Sequence, residues 1–417
     1  MKILLINPPF YRFLSLEQDY VPLSLLAVGS QMIQNGHEVY IKNMEIGDDM
    51  SYKGYVGRSD DYDKYLENIE NQEHPVWLEL HSLIKEIQPD KIGINVLNVK
   101  YRSALTIMKI ANRYDIDVVV GGNHPTTEPE TYPNDVTVFK GEFESHGGRI
   151  HDLDTIPFSN YEMLLDKYSP NGYGHLLSSR GCPFNCSFCA SKIMWNRKVT
   201  YKSVTRIIEE MSYVEKTFHT NYFTFWDEVF TLNRIRLREF CENYNLEAKW
   251  RCDTRADILT EEMVVMMKNA NCGQMSLGIE SSDKNTLQLI RKGETIEQFK
   301  NAAELLNKYN IQWKAYCIIG FPYDTVETIS KTISFIKSLN PFRITLSSFT
   351  PYKGTDLYND CLKLGLINEN YNAALYSHQS PHNYFCPEIP KKEYMKLRNE
   401  VSKEIDNYNL KALEVWK

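Results

Sequence analysis

Apolar positions in this chain come as short solid runs separated by helical stripes. Residues 3–6, 39–41, 92–97, 118–120 and 136–140 read as strands. Between them, residues 22–35 place Leu25, Leu26, Val28, Met32 and Ile33 on one stripe and stop at Gly36; residues 76–87 and 104–114 repeat that period. Residues 47–75 are acidic and Tyr-rich and read as a solvated insertion. Strands alternating with helices predict a parallel, doubly wound α/β domain over residues 1–150, whose ligands belong at the carboxyl ends of the strands. A linker over residues 151–173 contains Pro157 and Pro170. A second alternation follows, with strands at 176–179, 222–225, 249–253, 275–279, 314–319 and 344–348 and helices at 204–216, 261–269, 296–308 and 325–338. These six strand–helix units predict a partial (β/α)6 barrel over residues 174–350, with chemistry at the strand C-terminal ends. Residues 351–417 form a mainly helical closing region, helical over 391–407, with no readable motif in 356–417.

Composition narrows the class without choosing within it. The 417 residues are 42% apolar and 24% charged, as expected of a soluble globular protein of two or three domains. The net charge of −7 argues against a nucleic-acid partner, which favours a basic face. No apolar run approaches the ~18 residues that span a bilayer. The first residues, Met1 to Ile6, are too short for a signal segment and lead into Asn7-Pro8-Pro9. A cytoplasmic protein that does not engage a membrane is expected.

The nine cysteines change the picture. None precedes Cys182, the total is odd, and three fall within Cys182-Pro183-Phe184-Asn185-Cys186-Ser187-Phe188-Cys189. That is no disulfide framework. The spacing C-x3-C-x2-C follows a predicted strand and Arg180-Gly181, on the first barrel loop. Thiolates are the usual ligands of iron–sulfur clusters, and a [4Fe–4S] cube takes four. Three leave one iron open to a chelating amino acid. A zinc site would call for a second cysteine pair or histidine partners, and His175 and His219 stand isolated. Cys252, Cys272 and Cys317 read as packing, although Cys252 or Cys317 near a strand end could face substrate; Trp313 and Tyr316 read as core or pocket wall.

Residues 175–355 resemble the radical S-adenosylmethionine (SAM) superfamily, in the branch that carries an N-terminal cobalamin-binding domain. Beyond the cysteine motif, the resemblance rests on Phe225-Trp226-Asp227-Glu228, on residues 250–257 including Arg255, on Gly278-Ile279-Glu280-Ser281, on Ile318-Ile319-Gly320-Phe321-Pro322 and on residues 350–355. It implies a [4Fe–4S] cluster on Cys182, Cys186 and Cys189. It also implies a SAM site with Phe188 and Ile319–Gly320 against adenine. Trp226, Asp227 and Glu228 would lie near the amino group, Glu280 at the ribose, and Arg255 and Ser281 at the carboxylate.

Residues 1–150 resemble the cobalamin-binding domain of the methyltransferase-type branch. The matching residues are Asn7-Pro8-Pro9, Pro22 to Leu26, Gly36 to Val39, Pro89 to Ile94, Val120-Gly121-Gly122-Asn123-His124-Pro125-Thr126 and Gly141-Glu142-Phe143-Glu144. The resemblance implies a cobalamin held near Pro9, Asn95, Gly121, Gly122, His124 and Glu142. The Asp-x-His-x-x-Gly segment that supplies a lower-face histidine elsewhere is missing, so the cobalamin would lack that ligand. Between Glu144 and Asp152 the last helix of the layer is expected to be absent. The implied activity is reductive SAM cleavage to a 5′-deoxyadenosyl radical. Hydrogen abstraction and cobalamin-dependent C-methylation of a small molecule would follow, with an electron donor such as flavodoxin or ferredoxin. A rearrangement, cyclisation or other radical reaction stays open, as does a cluster or cobalamin sensor. RNA modification by a methylthiotransferase is disfavoured, because no cysteine precedes Cys182. Oligomeric state is not readable.

Overall fold

The computed structural model describes residues 1–16, 18–47, 53–143, 148–372, 375–378 and 380–415. The chain divides into two units, Met1–Lys53 with Asp60–Tyr173, and Gly54–Ser59 with Gly174–Lys417.

The first unit is built on five parallel strands: β1 (Lys2–Asn7), β2 (Glu38–Asn43), β3 (Lys91–Asn95), β4 (Asp117–Gly121) and β5 (Thr137–Val138), in the order β2-β1-β3-β4-β5. This is a doubly wound order whose switch point lies between β1 and β3. Helices Leu23–Gln34, Pro75–Ile87 and Tyr101–Asn112 lead into β2, β3 and β4. Pro75 at the first turn and the His74 ring, which accepts from the Val76 amide at 3.3 Å, start the second of them.

The structure departs from the pattern-based reading in three places. The Tyr-rich insertion is not simply solvated. It contains helices Tyr55–Asp60 and Tyr62–Glu70, and Tyr62 and Tyr65 are buried. Tyr65 packs edge-on against Phe10 at 4.8 Å, and its hydroxyl donates to the Val99 carbonyl at 3.1 Å. A phenol buries its ring once its oxygen finds a partner, which an acidic composition conceals. Residues 48–52 of that segment lie outside the described residues. Second, residues 151–173 pack as part of the first unit. Met163 and Tyr168 join Ile3, Leu5, Val39 and Ile41 in one core, and the Asp166 carboxylate takes the Lys42 ammonium at 2.5 Å and the Asn43 amide at 2.7 Å. Third, β5 is only two residues long where the pattern predicts a strand over 136–140. Ile150, Leu153 and Ile156 pack with Ala27. Glu144 lies outside the described residues.

A buried ionic network sits at the carboxyl ends of β1 and β2. The Lys100 ammonium, 3% exposed, pairs with Glu45 at 2.8 Å and donates to Asn7 Oδ1 at 2.7 Å. Glu45 also accepts the Phe10 and Arg12 amides, at 2.9 and 3.1 Å. The turn after Pro8-Pro9 is thereby tied to two strand ends.

The second unit contains β6 (His175–Leu176), β7 (Ser179–Arg180), β8 (Thr200–Tyr201), β9 (Tyr222–Phe225), β10 (Lys249–Thr254), β11 (Cys272–Glu280), β12 (Gln312–Ile319) and β13 (Arg343–Ser348). Six of them form a parallel sheet in the order β13-β12-β11-β10-β9-β6. The strand expected at 176–179 is broken in two. β6 pairs with β9, whereas β7 leaves the sheet and pairs antiparallel with β8. Helices Val204–Phe218, Arg234–Asn243, Glu261–Asn269, Ile296–Lys308 and Val326–Ser338 join the strands. The open edge of β13 is covered by side chains and one loop carbonyl. Asn409 brackets Ile344, donating to its carbonyl at 3.0 Å and accepting its amide at 2.9 Å. The Leu346 amide donates to the Tyr55 hydroxyl at 3.0 Å, and the Ser348 amide to the His378 carbonyl at 2.6 Å. Helix Lys391–Val415 carries Asn409, and its Asp406 accepts the Tyr55 and Val56 amides at 2.9 and 3.2 Å. No helix among the described residues is long and apolar enough to cross a membrane.

Lys100→Met removes the cation from a buried carboxylate. It is expected to lower stability in urea unfolding by about 3–5 kcal/mol, and adding Glu45→Gln recovers part of that loss.

Candidate active site

The cysteine loop leaves β7 at Gly181. Its φ is +104°, and a β-carbon there would collide with the Lys198 carbonyl, so only glycine fits. The Gly181 amide donates to Glu228 at 3.0 Å. Further along, the buried Ser187 donates its amide to the Ile290 carbonyl at 2.9 Å and accepts the Leu357 amide on its own carbonyl at 3.0 Å. The Cys189 amide closes a turn onto Cys186 at 3.2 Å. All three thiols are half-buried. Burial pushes Cys182 and Cys186 upward and Cys189 up to about 11, so iron must displace protons to bind. Among the described residues no group of three or more His, Cys, Asp and Glu side chains converges on a single metal ion. Three soft donors on one pinned loop fit a cluster with one thiolate per iron.

Beneath the loop lies a buried ionic group. β11 is irregular between Gly278 and Glu280, and Glu280 has φ +63°. A non-glycine residue held there stores about 1–3 kcal/mol of strain. The bulge aims its carboxylate at Lys292 Nζ, 3.6 Å away. A side chain at Gly278 would occupy that space, 2.5 Å from Glu280 Oε1 and 2.8 Å from Lys292 Nζ. Lys292 also meets Glu294 at 3.1 Å, and Glu294 meets Arg255 at 3.4 Å. Burial pushes the Glu280 carboxyl up while Lys292 opposes it. Burial works against the Lys292 ammonium, but Glu280 and Glu294 together hold it above its ordinary value. Both cations depress the Cys186 thiol. The Arg255 guanidinium stacks on Phe184 of the cysteine loop, 3.7 Å from the ring centre.

Several residues expected at SAM make other contacts. Asp227 is buried and accepts the Ser178 amide at 2.7 Å and the Ser178 and Ser179 hydroxyls at 2.6 and 2.5 Å, which turns the chain from β6 into β7. Arg255 is engaged by Asp257 through two bonds of 2.9 Å and by the Lys292 carbonyl at 3.0 Å. Ser281 accepts the Asp283 amide at 3.1 Å. Ile319 falls on the buried row of β12 with Trp313, Ala315 and Cys317, turned to the helical layer, and Cys252 is likewise buried. Gly320, at φ +85°, donates to Asp324 at 2.8 Å and lies under the Tyr394 ring. Phe188 is half-buried, its ring 5.8 Å from Phe321. Trp226 is 48% exposed, its indole donating to His175 Nδ1 at 2.6 Å. Glu228 holds the loop through Gly181, and Ser191 donates to it at 3.4 Å. Lys292 and Glu294 were missed by sequence reasoning, because Arg291-Lys292-Gly293 has no pattern of its own.

In the first unit, His124 does not face a ligand edge. It is buried, stacked on Tyr101 at 4.2 Å and bonded through Nδ1 to the Tyr132 hydroxyl at 2.8 Å. Gly122, at φ +112°, is packed against Asn95 and Val96; the Pro9 carbonyl takes the Ser103 hydroxyl; Glu142 accepts the Ile150 amide at 2.7 Å. Asn95, bonded to Ser24 at 2.9 Å, and Gly121 remain at the strand ends. A β-carbon on Gly121 would meet nothing nearer than Phe139 at 4.0 Å, and the neighbouring Leu97 is exposed. An open edge with exposed apolar surface fits a large planar ligand.

Residues 176–336 match the family model described as the Radical SAM superfamily. An uncharacterised methyltransferase of Pyrococcus horikoshii is 29% identical over 359 residues, covering 73% of this chain and 78% of that protein. The anaerobic magnesium-protoporphyrin IX monomethyl ester cyclase of Rubrivivax gelatinosus is 32% identical over 208 residues, 49% of this chain and 37% of that protein. The radical SAM methyltransferase TsrM of Kitasatospora setae, solved with cobalamin and a [4Fe–4S] cluster bound, superposes with a TM-score of 0.66 at 14% identity, covering 96% of this chain and 88% of that one.

Lys292→Met deletes a cation that depresses the Cys186 thiol, so less thiolate forms at a given pH. The pH profile of iron uptake during anaerobic reconstitution is expected to shift upward, read as iron per chain.

Proposed function

The chain is a radical SAM enzyme related to cobalamin-dependent radical SAM methyltransferases, and on that premise we propose that it methylates carbon in a small-molecule substrate. The observation that carries the reading is the three-thiol loop pinned over a buried, strained carboxylate and its lysine. When bound, a [4Fe–4S] cluster on Cys182, Cys186 and Cys189 supplies the electron, S-adenosylmethionine the adenosyl and methyl groups, and cobalamin the methyl carrier. Phe188 offers an apolar face to adenine. Glu280 offers an acceptor to the ribose hydroxyls, held in place by Lys292. Lys292, facing two carboxylates, orients the pocket's charge, and Arg255 acts as a positioning residue that clamps Phe184. Partial burial of the thiols limits water at the reducing centre. In the first unit, Ser24, Asn95, Leu97 and Gly121 form the edge that would hold cobalamin, while His124 is engaged by Tyr132. The electron comes from an external donor of the flavodoxin or ferredoxin type.

The relative named as a cyclase favours a second reading, a radical reaction without methyl transfer. Under anaerobic reduction with SAM, the wild-type chain is expected to form 5′-deoxyadenosine, and Cys186→Ala to form none while remaining folded by circular dichroism. Full activity in Cys186→Ala would overturn the cluster assignment. Hydroxocobalamin carried through gel filtration supports methyl transfer, and undiminished activity in rigorously cobalamin-free protein favours the second reading.

A further inference from the structure

The second unit carries a charged cluster that the cysteine loop does not use. Trp250 and Trp313 turn their indoles toward the helical layer. Their ring N–H groups donate to the Ala270 carbonyl at 2.5 Å and to Asn307 at 2.9 Å. Residues one step along each strand therefore point from the opposite face of the sheet. On that face the register aligns two rows. His175, Thr224 and Arg251 are neighbours across β6, β9 and β10. Asp253, Ser276, Lys314 and Arg343 are neighbours across β10 to β13. Adjacent strands lie about 4.8 Å apart, so these charges share one small region.

Positive charge leads in the cluster. Arg251 and Lys314 face the carboxylate of Asp253, and Arg343 lies beside Lys314 on the next strand. His175 adds no charge: burial first, then Arg251, holds its ring down to about 3. Burial pushes the Tyr316 hydroxyl up to about 12, and it lies 3.5 Å from Asp253. Arg251 donates to Thr224 at 2.9 Å. Among the described residues Lys314 makes no hydrogen bond or ion pair, yet it is only half-exposed. Burial, then Arg251 and Arg343, bring its ammonium down to about 7. Partly buried charge is costly unless it is paired. A chain of net charge −7 has no general excess of cations to place here.

We propose that this face of the sheet binds an oxyanion of the substrate, a carboxylate or a phosphate, with Arg251 and Lys314 as its ligands and Asp253 with Tyr316 setting its orientation. Arg251 supplies a planar fork and Lys314 a compact charge, a pair suited to such a group. The proposal names the substrate class for the radical chemistry above and rests on that reading.

Calorimetric titration of the cluster-loaded full chain with inorganic phosphate and with acetate, at ionic strength fixed by chloride, tests it. Saturable binding of either ion is expected. The tighter of the two identifies the group. Lys314→Met is expected to weaken that binding at least tenfold, and Lys314→Arg to retain it within about threefold. Absence of saturable binding by either ion, or equal affinity in Lys314→Met, overturns the site. Wild-type 5′-deoxyadenosine formation, measured on the same preparation, separates the two failures: its loss would strike the radical SAM reading, whereas its presence without anion binding would strike the oxyanion site alone.

Discussion

Buried charge that must be matched is the constraint on which the second unit depends. Arg255, Lys292, Glu280 and Glu294 are all withdrawn from solvent within one ion-paired group. None would be tolerated there alone, since the desolvation of a single ion exceeds what packing returns. Together they fix the end of β11, the turn around Lys292 and the segment after β10. The cysteine loop rests on this group through Phe184 and Arg255, so its position follows from charge balance as much as from its own turns.

The strain at Glu280 belongs to the same logic. A left-handed non-glycine residue at a strand end persists only where the surroundings over-determine it. Here Gly278 vacates the space and Lys292 supplies the opposing charge. The first unit repeats the device in a milder form, with Lys100 and Glu45 tying the turn after Pro9 to two strand ends. In both units a buried lysine–carboxylate pair sits at the carboxyl end of a parallel sheet, where such folds place their ligands.

Much of the fold was legible along the chain, for a physical reason. Parallel strands buried on one or both faces are solid apolar runs, and helices between them carry stripes, so element type and order survive in one dimension. Helices Glu261–Asn269 and Ile296–Lys308 coincide with the pattern, and in the structure Thr260 and Thr295 cap their starts. The break between β6 and β7 did not show, because it depends on Asp227, far along the chain, accepting from Ser178 and Ser179. Tyr62 and Tyr65 read as surface, because a phenol's burial is settled by whether a distant partner takes its hydroxyl.

By itself the sequence determined the chemistry class: three thiols at C-x3-C-x2-C after a strand, followed by matching strand-end segments, admit few other uses. It also determined the two α/β units and their order. The tertiary structure decided which of the polar residues are available to a ligand. Asp227, Arg255, Ser281 and His124 are polar residues in plausible places, yet each is engaged by neighbours remote in sequence or by the turn it builds. Lys292, Lys314 and Arg251 look ordinary in sequence and acquire meaning only from strand register and burial. A residue's type is local, whereas its free valence depends on everything packed against it.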